Sequence, residues 1–362
     1  MAIGYEVDFL AVGEGSRSGD AIALRFGDLY SNNPFAQTVI VIDGGYKESG
    51  KQLVEHIQYY YKTERVDLVV STHPDADHAN GLAVVLEELE VGQLWMHQPW
   101  NHTQDIAELF KDGRVTDNSI GNHLKESLEA ARTLEEIAKS KKIQIFEPFC
   151  GLQDVTECLT VVGPTQPFYE SLLPHFRGTP DPKASSFSEF MATVQDSIDW
   201  VRETWNRETL SEDGETSAEN ESSTILLFSF GNSNILFTGD AGVKALGEAI
   251  SLLEDHSFDF SSLNLIQVPH HGSKRNVSPS ILNRLLGDIT TQNTNLRSAY
   301  VSASKKGEPK HPAKKVTNAF KRRGAYVYTT QGSSVRHSSP NAPKREGWSP
   351  VSPLPFYNKV EE

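Results

Sequence analysis

Val66-Asp67-Leu68-Val69-Val70-Ser71-Thr72-His73-Pro74-Asp75-Ala76-Asp77-His78 joins a short apolar run to four ionisable side chains crowded into six residues. The run has the length and β-branched content of a buried strand, so a strand delivers the chain directly into His73. A tight loop at the end of a strand can turn several side chains toward one point. His73, Asp75, Asp77 and His78 together suit a pair of divalent ions. The plainer reading is a helix start with Asp77 as N-cap for Ala79 onward. Capping accounts for one acid, not for two acids and two histidines.

Working outward, residues 5–12, 21–26 and 38–42 alternate β-like runs with turns, of which Asp43-Gly44-Gly45 is the clearest. Residues 51–62 place Leu53, Ile57, Tyr60 and Tyr61 at helical spacing. Beyond His78 the spacing predicts helices over 82–89 and 123–140 and strands over 93–96, 143–146 and 159–162, an αβ alternation. Residues 164–221 read as an insertion: Pro-rich turns, an amphipathic helix over 187–207, then a flexible acidic loop over 211–221. Strands over 224–230 and 234–238 lead into Gly239-Asp240. After a helix over 245–253, a strand over 263–268 leads into His270-His271-Gly272-Ser273. Two adjacent side chains of a strand cannot both face inward, so at least one of His270 and His271 should serve a site. The last unit is a strand over 298–302, a loop with His311-Pro312, a helix over 313–322 and a strand over 325–328. Residues 338–362 form a Ser- and Pro-rich tail expected to be irregular.

At 362 residues and 38% hydrophobic content the chain reads as one elaborated domain, 1–362. No apolar stretch has the length of a membrane span and the first ten residues do not look like a signal peptide, so a cytoplasmic protein without membrane contact is expected. Cys150 and Cys158 lie outside any Cys-x-x-Cys spacing, which argues against a thiolate metal site. A formal charge of −14 argues against non-specific coating of nucleic acid. Residues 301–345 nevertheless carry eleven Lys or Arg against the single acid Glu308. Such a segment is either a phosphate-binding surface or a solvated face. Gly13 to Gly19 lacks the Gly-Lys-Ser/Thr ending of a nucleotide loop and reads as a turn.

The His73 block resembles the metallo-β-lactamase superfamily signature His-x-His-x-Asp-His, with Asp75 where the second His usually stands. The resemblance implies an α+β fold, the αββα sandwich of two mixed sheets flanked by helices, here with an inserted helical and loop segment. Exchanging imidazole for carboxylate moves metal preference from zinc toward manganese or magnesium without excluding zinc, so two divalent ions, Zn²⁺ or Mn²⁺, are expected. With Thr238-Gly239-Asp240, Pro269-His270-His271-Gly272-Ser273, Gly19-Asp20-Ala21, Gly163-Pro164, Asn220 with Ser222, and His311-Pro312, the chain looks most like the hydrolase domain of ComEC-type competence proteins and their stand-alone relatives. Carried over by position, His73 and Asp75 would hold the first ion, Asp77, His78 and His270 the second, and Asp240 would bridge them. The further His that many superfamily members supply has no motif here; His97, His102, His123 and His175 are the candidates.

Such a site implies hydrolysis by a metal-activated hydroxide, positioned by Asp77 and Asp240. His311, among Lys305, Lys306 and Lys310, would bind a phosphate oxygen or protonate the leaving group, with His271 and Ser273 as further substrate contacts. The carboxylate-rich ligands, the basic segment and the resemblance favour a phosphodiesterase or nuclease with a nucleic acid or nucleotide substrate. The alternatives are a small-molecule hydrolase acting on a cyclic nucleotide, lactone or thioester, and a catalytically silent module that binds a protein partner through residues 164–221.

Overall fold

Along the strand before His73, Val66 and Val69 face a helical layer while Leu68 and Val70 face a second sheet. Both faces are therefore buried, which is why apolar residues follow one another along this strand, Asp67 apart, instead of alternating with polar ones. The computed structural model describes residues 3–13, 17–31, 33–183, 200–291, 294, 296–307 and 310–361. In chain order its strands are β1 (Ile3–Phe9), β2 (Ala21–Asp28), β3 (Gln37–Gly44), β4 (Arg65–Val70), β5 (Glu90–Trp95), β6 (Gln144–Phe146), β7 (Leu159–Gly163), β8 (Trp200–Arg202), β9 (Ile225–Phe230), β10 (Ser233–Phe237), β11 (Leu263–Gln267), β12 (Arg297–Val301), β13 (Ala325–Thr329), β14 (Val335–Ser338) and β15 (Lys359–Glu361). The helices are α1 (Lys47–His56), α2 (Ala76–Glu88), α3 (Asp117–Ser127), α4 (Glu129–Lys141), α5 (Gln166–Leu172), α6 (Ala218–Glu221), α7 (Val243–Asp255), α8 (Pro279–Leu286) and α9 (Lys314–Arg322).

One mixed sheet runs β14-β1-β2-β3-β4-β5-β6 and the other β13-β12-β11-β10-β9-β7. Phe9, Ile22, Ile40 and Val70 of the first pack against Phe228, Phe237 and Leu265 of the second. Leu53, Leu82 and Leu134 of α1, α2 and α4 cover the first sheet, and Leu246, Leu282 and Phe320 of α7, α8 and α9 cover the second. The result is four layers, αββα. Parallel pairing of β3, β4 and β5, and of β10, β11 and β12, brings the loops after β4, β10 and β11 to one edge of the sandwich.

Helix α2 lies directly on β3 because glycines meet there. A Cβ on Gly81 would overlap the Gly44 carbonyl, and the Gly81 N–H donates to the Gly45 oxygen at 2.8 Å. Gly81→Ala is expected to lower stability by about 1–3 kcal/mol through overpacking, read as a fall in the denaturation midpoint.

Three local expectations change. The helix expected over 123–140 is two helices, α3 and α4, broken at Leu128. Of the helix expected over 187–207, residues 187–199 lie outside the described residues, and 200–202 form β8, paired with β15. The acidic stretch 211–221 is not a solvated loop at its end: Glu219, Asn220 and Glu221 of α6 are buried, and Glu221 accepts the Ala245 N–H at 2.8 Å, capping α7. The tail is irregular over 339–358, as expected, but it is tied down. Arg345 forks onto Asp8 at 2.6 and 2.8 Å and reaches Glu6 at 3.0 Å, while Glu361 accepts the Lys314 and Lys315 N–H groups at 3.1 Å and caps α9.

The four arginines of the basic segment are likewise turned inward. Arg322 pairs with buried Glu203 at 3.1 Å, Arg323 with Glu208 at 2.8 Å, and Arg336 and Arg345 with Glu6. Among the described residues no helix is long and apolar enough to cross a membrane.

Candidate metal centre

The loop after β4 carries Thr72 and His73 into the interior, and α2 begins at Ala76, so Asp77 and His78 sit in its first turn. Asp75 occupies the N-cap position without a side-chain cap bond, so neither acid of the block is there to cap. At the end of β3, Asp43 takes a left-handed backbone (φ 55°). Its carboxylate accepts from the Thr72 N–H at 2.9 Å, the Thr72 hydroxyl at 2.7 Å and His78 Nδ1 at 2.8 Å. After β10, Asp240 is 2% exposed; α7 starts only at Val243 with Gly242 as N-cap, so Asp240 is not a cap either. After β11, His270 and His271 both adopt left-handed backbone (φ 47° and 54°). That bend frees them from strand alternation, and both rings turn toward Asp240.

The Nδ1 partners decide what each imidazole presents. His78 Nδ1 meets a carboxylate oxygen of Asp43, and His271 Nδ1 meets the Ser302 carbonyl at 3.0 Å; both partners can only accept. Thr72 gives its hydroxyl proton to Asp43, so its oxygen is left to accept from His73 Nδ1 at 3.1 Å. Asn276 uses its amide N–H₂ on the Asp240 carbonyl at 2.7 Å, which turns its Oδ1 to His270 Nδ1 at 2.8 Å. With the proton held on Nδ1, neutral His73, His78 and His271 offer an Nε2 lone pair, while His270 Nδ1 also faces the Asn220 amide nitrogen at 3.1 Å.

The Nε2 atoms converge. From Asp240, His78 Nε2 is 3.3 Å from one carboxylate oxygen, and His73, His270 and His271 Nε2 are 3.8, 3.6 and 3.9 Å from the other. His271 Nε2 lies 3.6 Å from Asp77 and His73 Nε2 3.8 Å from Asp75. Two donors each about 2.1 Å from one ion at a tetrahedral angle stand ~3.4 Å apart. Nε2 of His73, His78 and His271 and Oδ1 of Asp240 and Asp20 are buried without a hydrogen-bond partner. Orphaned acceptors facing one another at ligand spacing are satisfied by cations, so these residues fit divalent ions.

Without ions, the same carboxylates favour protonated His78 and His271, and a bound cation would take the place of those protons. Burial opposes charge on His78, but Asp240 and Asp43 outweigh it and raise its pKa well above the ordinary value. His271 is treated the same way by Asp240, Asp77 and Asp20 and rises to about 9. Burial, then His78, pushes His73 down. Asp77 and Asp240 are held low by these histidines against the effect of burial.

Asp75 faces His73 with one oxygen and is ion-paired to Arg177 through the other, and Arg177 is itself anchored by its backbone N–H on Glu219 at 2.7 Å. Replacing the usual neutral imidazole by a carboxylate adds a negative charge, and Arg177 offsets it.

Two acids went unrecognised as site residues. Asp43 orients His78, and Asp20, 1% exposed, lies 3.8 and 3.9 Å from the Nδ1 atoms of His78 and His271. Asp20, His78, Asp240 and His271 form one group able to hold an ion, and Asp43, His73 and His78 another. The candidates for a further His do not join either group. His97 is buried between Phe149 and Tyr169, His102 pairs with Glu147 and Glu170, and His123 and His175 lie on α3 and after α5.

A cleft of about 450 Å³ opens over Asp77, lined by Arg17, Ser18, Tyr46, His270, His271, Lys306, Gly307, Lys310 and His311. Lys305 and Ser273 do not line it; Ser273 is buried and accepts the Arg275 N–H at 3.3 Å. Burial, then His271 and His270, pushes His311 down to about 3. This favours its neutral form at pH 7, in which it can accept a hydrogen bond in the cleft.

Residues 36–132 match the family model of the metallo-beta-lactamase superfamily. The fold is the metallo-β-lactamase sandwich. Among solved structures, a Thermotoga maritima protein assigned as a metallo-beta-lactamase is 13% identical with a TM-score of 0.33, over 65% of this chain and 78% of its own. A diphosphatase of the PhnP family is 12% identical with a TM-score of 0.38, over 92% and 98%. The CmlA beta-hydroxylase E377D mutant is 11% identical with a TM-score of 0.41, over 92% of this chain and 53% of its own. No curated protein matches the chain. The loops adjoining β2, β3, β4, β10 and β11 each contribute a carboxylate or imidazole to the two groups able to hold an ion.

Proposed function

We propose that the chain is a two-ion hydrolase acting on phosphodiesters of nucleotide size or larger. The observation that carries the substrate class is the cleft mouth, where Arg17, Lys306 and Lys310 stand around the ionised Asp77. Such a trio suits a phosphate more than an uncharged lactone or thioester. The likeness of the His73, Asp240 and His270 motifs to ComEC-type hydrolase domains points the same way.

His73 and Asp75 on one side, Asp77, His78 and His271 on the other, and Asp240 between them would hold the ions. Zn²⁺ and Mn²⁺ both suit these donors, and the carboxylates favour Mn²⁺. Bound there, divalent ions lower the pKa of a water and offset charge on a substrate oxygen. Arg17, Lys306 and Lys310 bind the remaining phosphate oxygens. Asp77 accepts a proton at its carboxylate. Tyr46, kept protonated by burial and by Asp77, can donate its hydroxyl to a substrate oxygen in the cleft.

The small cleft of about 450 Å³ and the loss of the segment's four arginines to internal ion pairs favour a second reading, a cyclic or short nucleotide in place of a polymer. A cytoplasmic setting and a protein partner on 164–221 are part of the same proposal. The test is a panel of single- and double-stranded DNA, RNA, cyclic dinucleotides and a generic phosphodiester, with Mn²⁺- or Zn²⁺-loaded protein beside Asp77→Ala. Cleavage by the wild type alone is expected. Turnover confined to lactones or thioesters overturns the substrate class, and inertness of an ion-loaded protein toward every substrate favours the binding module.

A further inference from the structure

We infer that Asp20 is a direct ligand of the ion that His78, His271 and Asp240 would share. The inference adds a carboxylate to the ion centre of the proposed function, and it rests on that centre and not on its substrate.

Atoms left without partners carry it. Asp20, His78, Asp240 and His271 each bring a ligand atom within 4.8 Å of the others, and their side chains are at most 4% exposed. Each of the four also has one buried atom with no hydrogen-bond partner among the described residues: Asp20 Oδ1, His78 Nε2, Asp240 Oδ1 and His271 Nε2. Two carboxylates buried this close together need positive charge beside them. Once the imidazoles are neutral, an ion supplies that charge and satisfies all four atoms at once.

Asp20 is not needed to brace the rings. Its Oδ2 lies 3.8 and 3.9 Å from the Nδ1 atoms of His78 and His271, beyond hydrogen-bond distance. Those Nδ1 protons already have acceptors, Asp43 at 2.8 Å and the Ser302 carbonyl at 3.0 Å. What the Asp20 carboxylate has to spare is ligand capacity. The backbone fixes where it stands. The Asp20 N–H donates to the Asp77 carbonyl at 3.3 Å, and a Cβ on Gly19 would lie 2.5 Å from that same oxygen. Glycine at 19 therefore lets the residue before β2 close on the first turn of α2, which carries His78.

Ion counting and the spectrum of a bound ion test the assignment. After loading with Mn²⁺ or Zn²⁺ and removal of loose ion, elemental analysis should find two ions per chain in the wild type and one in Asp20→Ala. The double variant Asp20→Ala/His271→Ala should also retain one, because both residues serve the same ion. Asp20→Asn keeps the side-chain volume and repeats the test if the alanine variant does not fold. It should weaken one ion by more than the roughly 10–100-fold that an outer partner is worth. In Co²⁺-loaded protein it should also alter the visible absorption, which reports the atoms bound to the ion. Gly19→Ala removes no ligand, yet should weaken the same ion by displacing Asp20. An Asp20→Asn protein that keeps both ions within about 100-fold of wild-type affinity, with an unchanged Co²⁺ spectrum, makes Asp20 an outer partner and overturns the inference. Loss of both ions in the double variant, after one is retained in each single variant, puts Asp20 and His271 on different ions and overturns it as well. A wild type that retains no ion overturns the ion centre itself, which keeps the two failures apart.

Discussion

Asp240→Ala is expected to abolish tight ion binding and reduce hydrolysis to background. Its carboxylate stands within 4 Å of all four Nε2 atoms, so its removal leaves the His73, His78 and His271 acceptors facing one another with no anion between them. Loss of ion affinity should exceed the roughly 10–100-fold that removing an outer partner costs. The pH dependence gives an independent reading. In ion-free protein His271 titrates near 9, against about 6.5 when unfolded. A raised pKa contributes stability that is fully present below about pH 6.5 and is lost as pH rises through 9. The wild-type denaturation midpoint in chelator should therefore fall across that window. The Asp240→Ala midpoint should fall much less, because burial then dominates His78 and His271. A flat wild-type profile would contradict this account of the cluster.

Arg345→Ala should produce the largest loss of stability, about 3–5 kcal/mol, the usual cost of stranding a buried charge. Arg345 is 3% exposed, and its guanidinium satisfies Asp8 and Glu6 on β1, both fully buried, while stacking over Tyr60 and Trp348 at 4.6 and 4.9 Å. Burial opposes ionisation of Asp8, but His56 and Arg345 overcome it and hold its pKa low. That contribution is present above the unfolded value of about 3.9 and is lost as pH falls below it. A lowered guanidinium midpoint at pH 7, with the difference shrinking in acid, is the expected result. An unchanged midpoint would mean that the tail is not a structural strap.

What could be read from sequence was local. His73, Asp75, Asp77 and His78 lie within six residues behind an apolar strand, so their convergence needs only one loop. Asp240 and the His270-His271 pair also follow recognisable strands. Asp20 and Asp43 come from the start of β2 and the end of β3, and only the pairing of Ala21 with Gly44 brings them together. In isolation, an Asp before two glycines looks like an ordinary turn residue. The anchoring of the irregular tail and of the end of the acidic stretch was not legible for the opposite reason. Both segments lack periodicity, yet Arg345, Glu361, Glu219 and Glu221 are ordered by long-range ion pairs and helix caps, which leave no periodic trace in sequence. Ion pairs of the same kind take the four arginines of the basic segment, Arg322, Arg323, Arg336 and Arg345, out of the expected substrate surface.

The most direct test of the ion centre is the metal content of the purified wild type, loaded with Mn²⁺ and separately with Zn²⁺, then freed of loose ion and measured beside Asp240→Ala. Two ions per wild-type chain and none in the variant are predicted. Equal metal content in the two proteins, or none in either, would contradict the account.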